Sequence, residues 1–164
     1  MKKGSMTAAE LMANLEDDPE YLARRAVKEA EIEKLSEECR VDEALLIEEL
    51  NHVGVSVVSV WDLVNNAPHP LLERKFSGSY EIAYPILVNH LRVPHHYRIR
   101  EGIIRALSER AARKLASAPL LEQLATESNR QHRWVIANAL EIMLPRSELD
   151  RHPQIEEALR AGYL

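Results

Sequence analysis

Two blocks of this sequence recur after an interval of thirty-three residues with no gap between them. Ile86–Leu91 (ILVNHL) and Arg100–Leu107 (REGIIRAL) align with Pro119–Leu124 (PLLEQL) and Arg133–Leu140 (RWVIANAL). A repeated pair of short helices cannot bury its apolar face alone, so each pair must stack on its neighbours. The expected fold is therefore all-α: a short α-solenoid of stacked helical hairpins with N- and C-terminal capping helices. Such stacks ordinarily hold another molecule.

The 164 residues fit one domain and suffice for a sizeable core. Apolar content of 46% with 29% charged residues fits a globular chain, and five glycines leave few helix breaks. The opening Met1-Lys2-Lys3-Gly4-Ser5 reads as a cloning remnant or a disordered start ahead of Met6. Residues 6–164 are expected as a single helical-repeat domain, with acidic helices and a degenerate repeat in 6–78 and clearer repeats in 79–164. No apolar run approaches the roughly 20 residues that span a bilayer, so no membrane is expected as a partner. A single cysteine, Cys39, excludes an internal disulfide, and a cytoplasmic location is the expectation.

The net charge of −5 is unevenly spread. Thr7–Asn66 carries five Lys/Arg against fifteen Asp/Glu, and Arg92–Arg133 carries nine against four. That polarity bears on steering and partner choice, not on fold.

Local signals predict the elements. Thr7 and Glu10 form a capping box for a first helix, and Asp18-Pro19 opens a longer one through about Arg40. That charged helix is expected to project or to mediate a homodimer. Asp42 is expected to cap a helix ending near Gly54, and Ser56 to start another through Val64. Asn65–Pro70 and Ser77–Ser79 are breakers, with a short helix over Leu71–Phe76 between them. Tyr80–Leu91 and Tyr97–Ser108 make one pair around the turn Val93–His96. Glu109–Leu115 is a short connector, and Ser117 caps a helix with Pro119 near its first turn, ending at Ala125. Arg130–Leu144 follows, then a last helix from Pro153 to Arg160.

The segments Ile99–Leu107 (IREGIIRAL) and Arg133–Leu140 (RWVIANAL) resemble second helices of HEAT-like repeat proteins of the armadillo type. With Ser59–Asn65 and Tyr84–Leu87, the chain is similar to small bacterial and phage proteins of that kind. HEAT repeats usually run about 40 residues, so the interval here is short. The resemblance implies protein interaction, and it gives Arg100 and Arg133 a structural role across adjacent repeats.

In a stacked array, corresponding faces of the second helices line up into one surface. Arg98, Glu101 and Arg105 on one helix match Gln131, Trp134 and Asn138 on the other, and these six are the expected partner-binding residues. Trp134 has two readings: an exposed interface anchor, or a ring packed against the C-terminal helix. The alternative activity is phosphate-backbone binding by Arg92, Arg98, Arg105, Arg110, Arg113, Lys114 and Arg130. A pI near 5.8 weighs against nucleic acid and favours a protein partner.

Other chemistry fares less well. Leu46–Val64 has the outline of a helix-turn-helix, but its second helix would contain no Lys or Arg. His69, His90, His95, His96 and His132 are potential ligands, yet their spacing fits no recognised geometry and no metal is expected. Phosphate-loop, zinc-protease and nucleophile-elbow motifs are missing, so a non-catalytic protein without cofactor is expected. Cys39 lies among Glu37, Glu38 and Asp42, which disfavour a thiolate.

Overall fold

The computed structural model describes residues 18–64 and 78–162, together with Thr7, Leu15 and Phe76. The expected helices after Thr7 and over Leu71–Phe76, and His69, lie outside these residues or almost wholly so. Every regular element among the described residues is helical. The chain divides into two compact units, Met1–Glu38 and Cys39–Leu164.

Helix α1 runs from Pro19 to Asp42. Asp18 caps it as expected, its carboxylate accepting from the Glu20 and Tyr21 amides at 2.9 and 3.3 Å. Glu20–Arg24 and Arg25–Glu29 pair one turn apart on its surface. No residue of α1 is buried, and Leu22, Val27 and Ile32 are exposed.

Helix α2 spans Ala44–His52. Asp42 does not cap it: α1 continues through Asp42, and Glu43 occupies the cap position without a side-chain cap bond. The Glu43 carboxylate instead accepts from the Ser59 hydroxyl at 3.1 Å and the Val60 amide at 2.9 Å. Burial pushes this carboxyl above its usual range, with Asp62 and Asp42 adding to the effect against those two bonds.

The helix expected over Ser56–Val64 is absent. Gly54 leaves α2 at φ +87°, a region that glycine enters without steric cost, and a stretch with no regular element follows. Asn51 fastens this stretch by donating to the Val57 carbonyl and accepting from the Val57 amide. Val55, Val57 and Val58 are stiff at χ1 and suit a helix less well than unbranched residues. One 3₁₀ turn, Val60–Asp62, remains, capped by Ser59 rather than Ser56 and closed by a capping box with Asp62. The helix-turn-helix outline therefore lacks its second helix.

The two repeat pairs follow. Helix α3 (Tyr84–His90) is entered through the 3₁₀ turn Glu81–Ala83, and α4 (Tyr97–Ala106) follows the Pro94 turn. A second 3₁₀ turn, Arg110–Ala112, leads into α5 (Arg113–Thr126), and α6 covers Arg130–Met143. The expected connector over Glu109–Leu115 and the new start at Ser117 merge into α5, with Pro119 inside the helix. Proline removes the hydrogen bond to the carbonyl four residues back, on Leu115, which is an exposed residue. The short α7 (Arg146–Leu149) precedes α8 (Pro153–Gly162).

Helix α3 packs against α5, and α4 against α6. Residues thirty-three apart share their burial: Leu87 with Leu120, Leu91 with Leu124, Ile103 with Ile136, Ala106 with Ala139 and Leu107 with Leu140. The correspondence extends to the caps, where His96 and Asn129 accept from the Arg98 and His132 amides. The other sides of α4 and α6 are covered differently. The Val60–Asp62 turn packs on α4, and α8 packs on α6.

Gly102 permits the first of these contacts. A Cβ there would stand 2.6 Å from Val60 Cγ1 and 3.2 Å from Trp61 Nε1, closer than packed atoms tolerate. Gly102→Ala should therefore lower unfolding stability by about 1–3 kcal/mol despite alanine's better helix propensity. Urea unfolding checks this, and a neutral or stabilising result would refute the close approach.

Candidate functional site

Exposure on α4 and α6 follows from the same periodicity that buries their opposite faces. Arg98 is exposed, its Nε donating to the Tyr97 hydroxyl at 3.3 Å. Glu101 and Arg105, one turn apart, form an ion pair of 2.7 Å and are half-buried. On α6, Gln131 is exposed, while Asn138 is half-buried and returns a bond to the Trp134 carbonyl at 2.8 Å. The rings of exposed Tyr97 and half-buried His132, 6.3 Å apart and 22° from parallel, join the two helices near their starts.

Trp134 takes the second of its two expected placements. Its indole lies against Gly162 at the end of α8, where a Cβ on that glycine would overlap Cδ1 at 1.8 Å. It packs on the core edge and is half-buried. The ring thus helps to dock α8, and of the six expected residues Arg98 and Gln131 stand most open to solvent.

Beneath this face lies a polar joint between the helix pairs. Arg100 reaches Glu127 at 2.5 Å and the Gln123 side-chain oxygen at 3.2 Å, and Gln123 donates to the Leu91 carbonyl at 2.6 Å. Arg133, thirty-three positions on, donates to the carbonyls of Leu124 and Glu127. Burial alone would raise the Glu127 carboxyl, but the Asn129 amide, Arg100 and the nearby His132 outweigh it and hold it below the usual carboxylate range. Both arginines are therefore spent on intramolecular bonds. A second joint binds the start of α3 to the end of α4: Tyr80 and Tyr84 donate to Glu109 at 3.0 and 2.6 Å, and the Tyr80 hydroxyl also lies 2.8 Å from the Ala106 carbonyl. Burial, reinforced by the Glu109 carboxylate, pushes both phenols up.

Basic side chains in the second half are largely engaged as well. Arg105 pairs with Glu101, Arg113 with Glu148 at 3.5 Å, and Arg130 donates to the Ala161 carbonyl. Arg92, Arg110 and Lys114 remain exposed.

The histidines come together in a way that spacing did not foretell. His90 and His95 touch each other at 2.9 Å, His90 meets Glu49 at 3.3 Å and His95 meets Asp42 at 2.8 Å. The acids come from α1 and α2, more than forty positions upstream, which no local motif could register. His96 lies 3.5 Å from Cys39. Among the described residues, no group of three or more His, Cys, Asp or Glu is placed to hold a metal ion, and no helix is long and apolar enough to cross a membrane.

No family model, curated protein or solved structure matches the chain.

The Glu127 joint has a definite pH signature. A carboxyl held low in the fold contributes stability above the usual carboxylate range and loses it as pH falls through its folded value. Glu127→Gln should cost about 1.5–3 kcal/mol at pH 7, the scale of one charge-assisted bond, and less near pH 3, below the usual carboxylate range. Urea midpoints at the two pH values measure the difference; an equal loss at both would contradict it.

Proposed function

We propose that residues 79–164 form a short HEAT-like helical-repeat module that binds another protein on the open face of α4 and α6. The observation that carries this reading is the matched packing of the two pairs, α3 on α5 and α4 on α6, with equivalent residues buried and equivalent caps. Such stacking turns the outward faces of successive second helices into one continuous surface. Arg98, Gln131 and the Tyr97–His132 rings form its open part, with the Glu101–Arg105 pair and Asn138 behind. Trp134 serves this surface indirectly, by holding α8 against α6.

The engaged state of Arg105, Arg113 and Arg130 supports a protein over a nucleic-acid backbone. Phosphate binding needs several free cations, and its affinity falls steeply with salt.

Affinity capture from lysate of the source cells tests the proposal with four proteins: wild type, Arg98→Glu, Gln131→Glu and Arg146→Glu. Arg146 lies on α7, is not among the six expected face residues, and is highly exposed. One protein should be retained by wild type and Arg146→Glu and reduced about tenfold or more by each face variant, the effect of about 1.4 kcal/mol. Retention should survive nuclease treatment. Equal retention by all four, or loss on nuclease treatment, would overturn the reading.

A further inference from the structure

Gly102 marks the place where the 3₁₀ turn Val60–Asp62 comes closest to α4. A Cβ at this position would stand 3.2 Å from Nε1 and 3.3 Å from Cε2 of Trp61, so the indole lies directly on the helix. Arg98 and Arg105 flank Gly102 on the same side of α4, one turn before it and one turn after. Val60, on the inner side of the turn, is fully buried, whereas Trp61 keeps 39% of its surface exposed and Val58 64%. Trp61 thus shows part of a large ring beside the two arginines, while Trp134 is turned toward Gly162.

The mount of this ring is tightly bonded. Asp62 accepts from the Val58 and Ser59 amides at 3.0 and 3.1 Å, and Ser59 caps the turn. Glu43 holds the same turn from α2 through the Ser59 hydroxyl and the Val60 amide. A ring fixed in this way loses little freedom on binding. Tryptophan and arginine are also among the side chains that most often carry interface energy.

Charge selects the occupant. Three nearby carboxylates are already engaged: Asp62 and Glu43 within the turn, and Glu101 with Arg105 at 2.7 Å. Arg98 is exposed, and among the described residues no carboxylate lies within ion-pair distance of it. One uncompensated cation therefore remains, about 6 Å along the helix from the seat of the indole. A single cation is too few for a phosphate backbone and suits a single carboxylate.

We propose that Trp61 is the aromatic anchor of the partner face and that its occupant is an acidic segment of another protein. A large apolar side chain of that segment covers the indole, and a neighbouring Asp or Glu meets Arg98. This rests on the reading of the α4 and α6 face as a protein-binding surface and adds the chemistry of what binds there.

Panning a random-peptide display library on the immobilised full chain supplies the probe. Recovered peptides should carry a large apolar residue with Asp or Glu two to four positions away, which spans about 6–7 Å in a strand or helix. Labelled copies of these peptides should bind Trp61→Ala about thirtyfold more weakly than wild type, the scale of an interface hot spot. Arg98→Glu should weaken them about tenfold or more, and panning on that variant should recover Lys or Arg in place of the acid. If Trp61→Ala does not fold, this exchange of charge at the exposed Arg98 decides. Peptides weakened by Arg98→Glu but not by Trp61→Ala would overturn the anchor and leave the protein-binding face standing. Recovery of no peptide, or affinities unchanged by both variants, would overturn the anchor and count against the face as well. Trp61-dependent binding of mixed-sequence single-stranded DNA would overturn the proposal in favour of nucleic acid. Self-association abolished by Trp61→Ala would overturn it in favour of a second copy of the chain.

Discussion

The shared apolar layer between successive helix pairs is the interaction on which the Cys39–Leu164 unit depends. Ile103 and Ile136 are fully enclosed, as are Leu87 and Leu120, and each such side chain contributes about 1.5–3 kcal/mol by leaving water. Neither pair could bury these residues alone. Once α4 lies on α6, the positions of Arg98 and Gln131 outside, and of Arg100 and Arg133 at the joint, follow from helical spacing. The other sides of α4 and α6 need separate solutions, supplied by the Val60–Asp62 turn over Gly102 and by α8 over Trp134.

Polar groups occupy the joints of this apolar layer. Arg100 with Glu127 and Gln123 bridges one pair to the next, Tyr80 and Tyr84 meet Glu109, and Glu43 receives the turn at Ser59 and Val60. Each satisfies groups that burial would otherwise leave unpaired, at a cost of about 1–3 kcal/mol apiece. The enclosed His90 and His95, in contact with Glu49 and Asp42, belong to the same class.

The repeat region was legible because its apolar periodicity and its thirty-three-residue spacing point to the same helices. Ile103, Ala106 and Leu107 are buried with their partners as their spacing implied. Local signals misled where tertiary contacts overrode them. Asp42 looks like an N-cap but serves His95; Ser56 looks like a helix start, yet Asn51 ties the stretch at Val57 and no helix forms before Val60. Pro119 looks like a first-turn proline and lies in mid-helix. The placement of Trp134 depended on Gly162, twenty-eight residues later, and the histidine–acid contacts join residues forty or more apart. Such pairings leave no trace in a local window.

Native-state hydrogen exchange of the full chain tests the shared layer most directly. If α4 and α6 form one cooperative body, their slowest amides, around Ile103 and Ile136, exchange with one common opening free energy equal to that of global unfolding. The α1 amides between Arg24 and Lys34, on a helix with no buried residue, exchange far faster. Slowest amides of α4 and α6 opening with free energies several kcal/mol apart would contradict the account, because each helix would then hold its structure without the other.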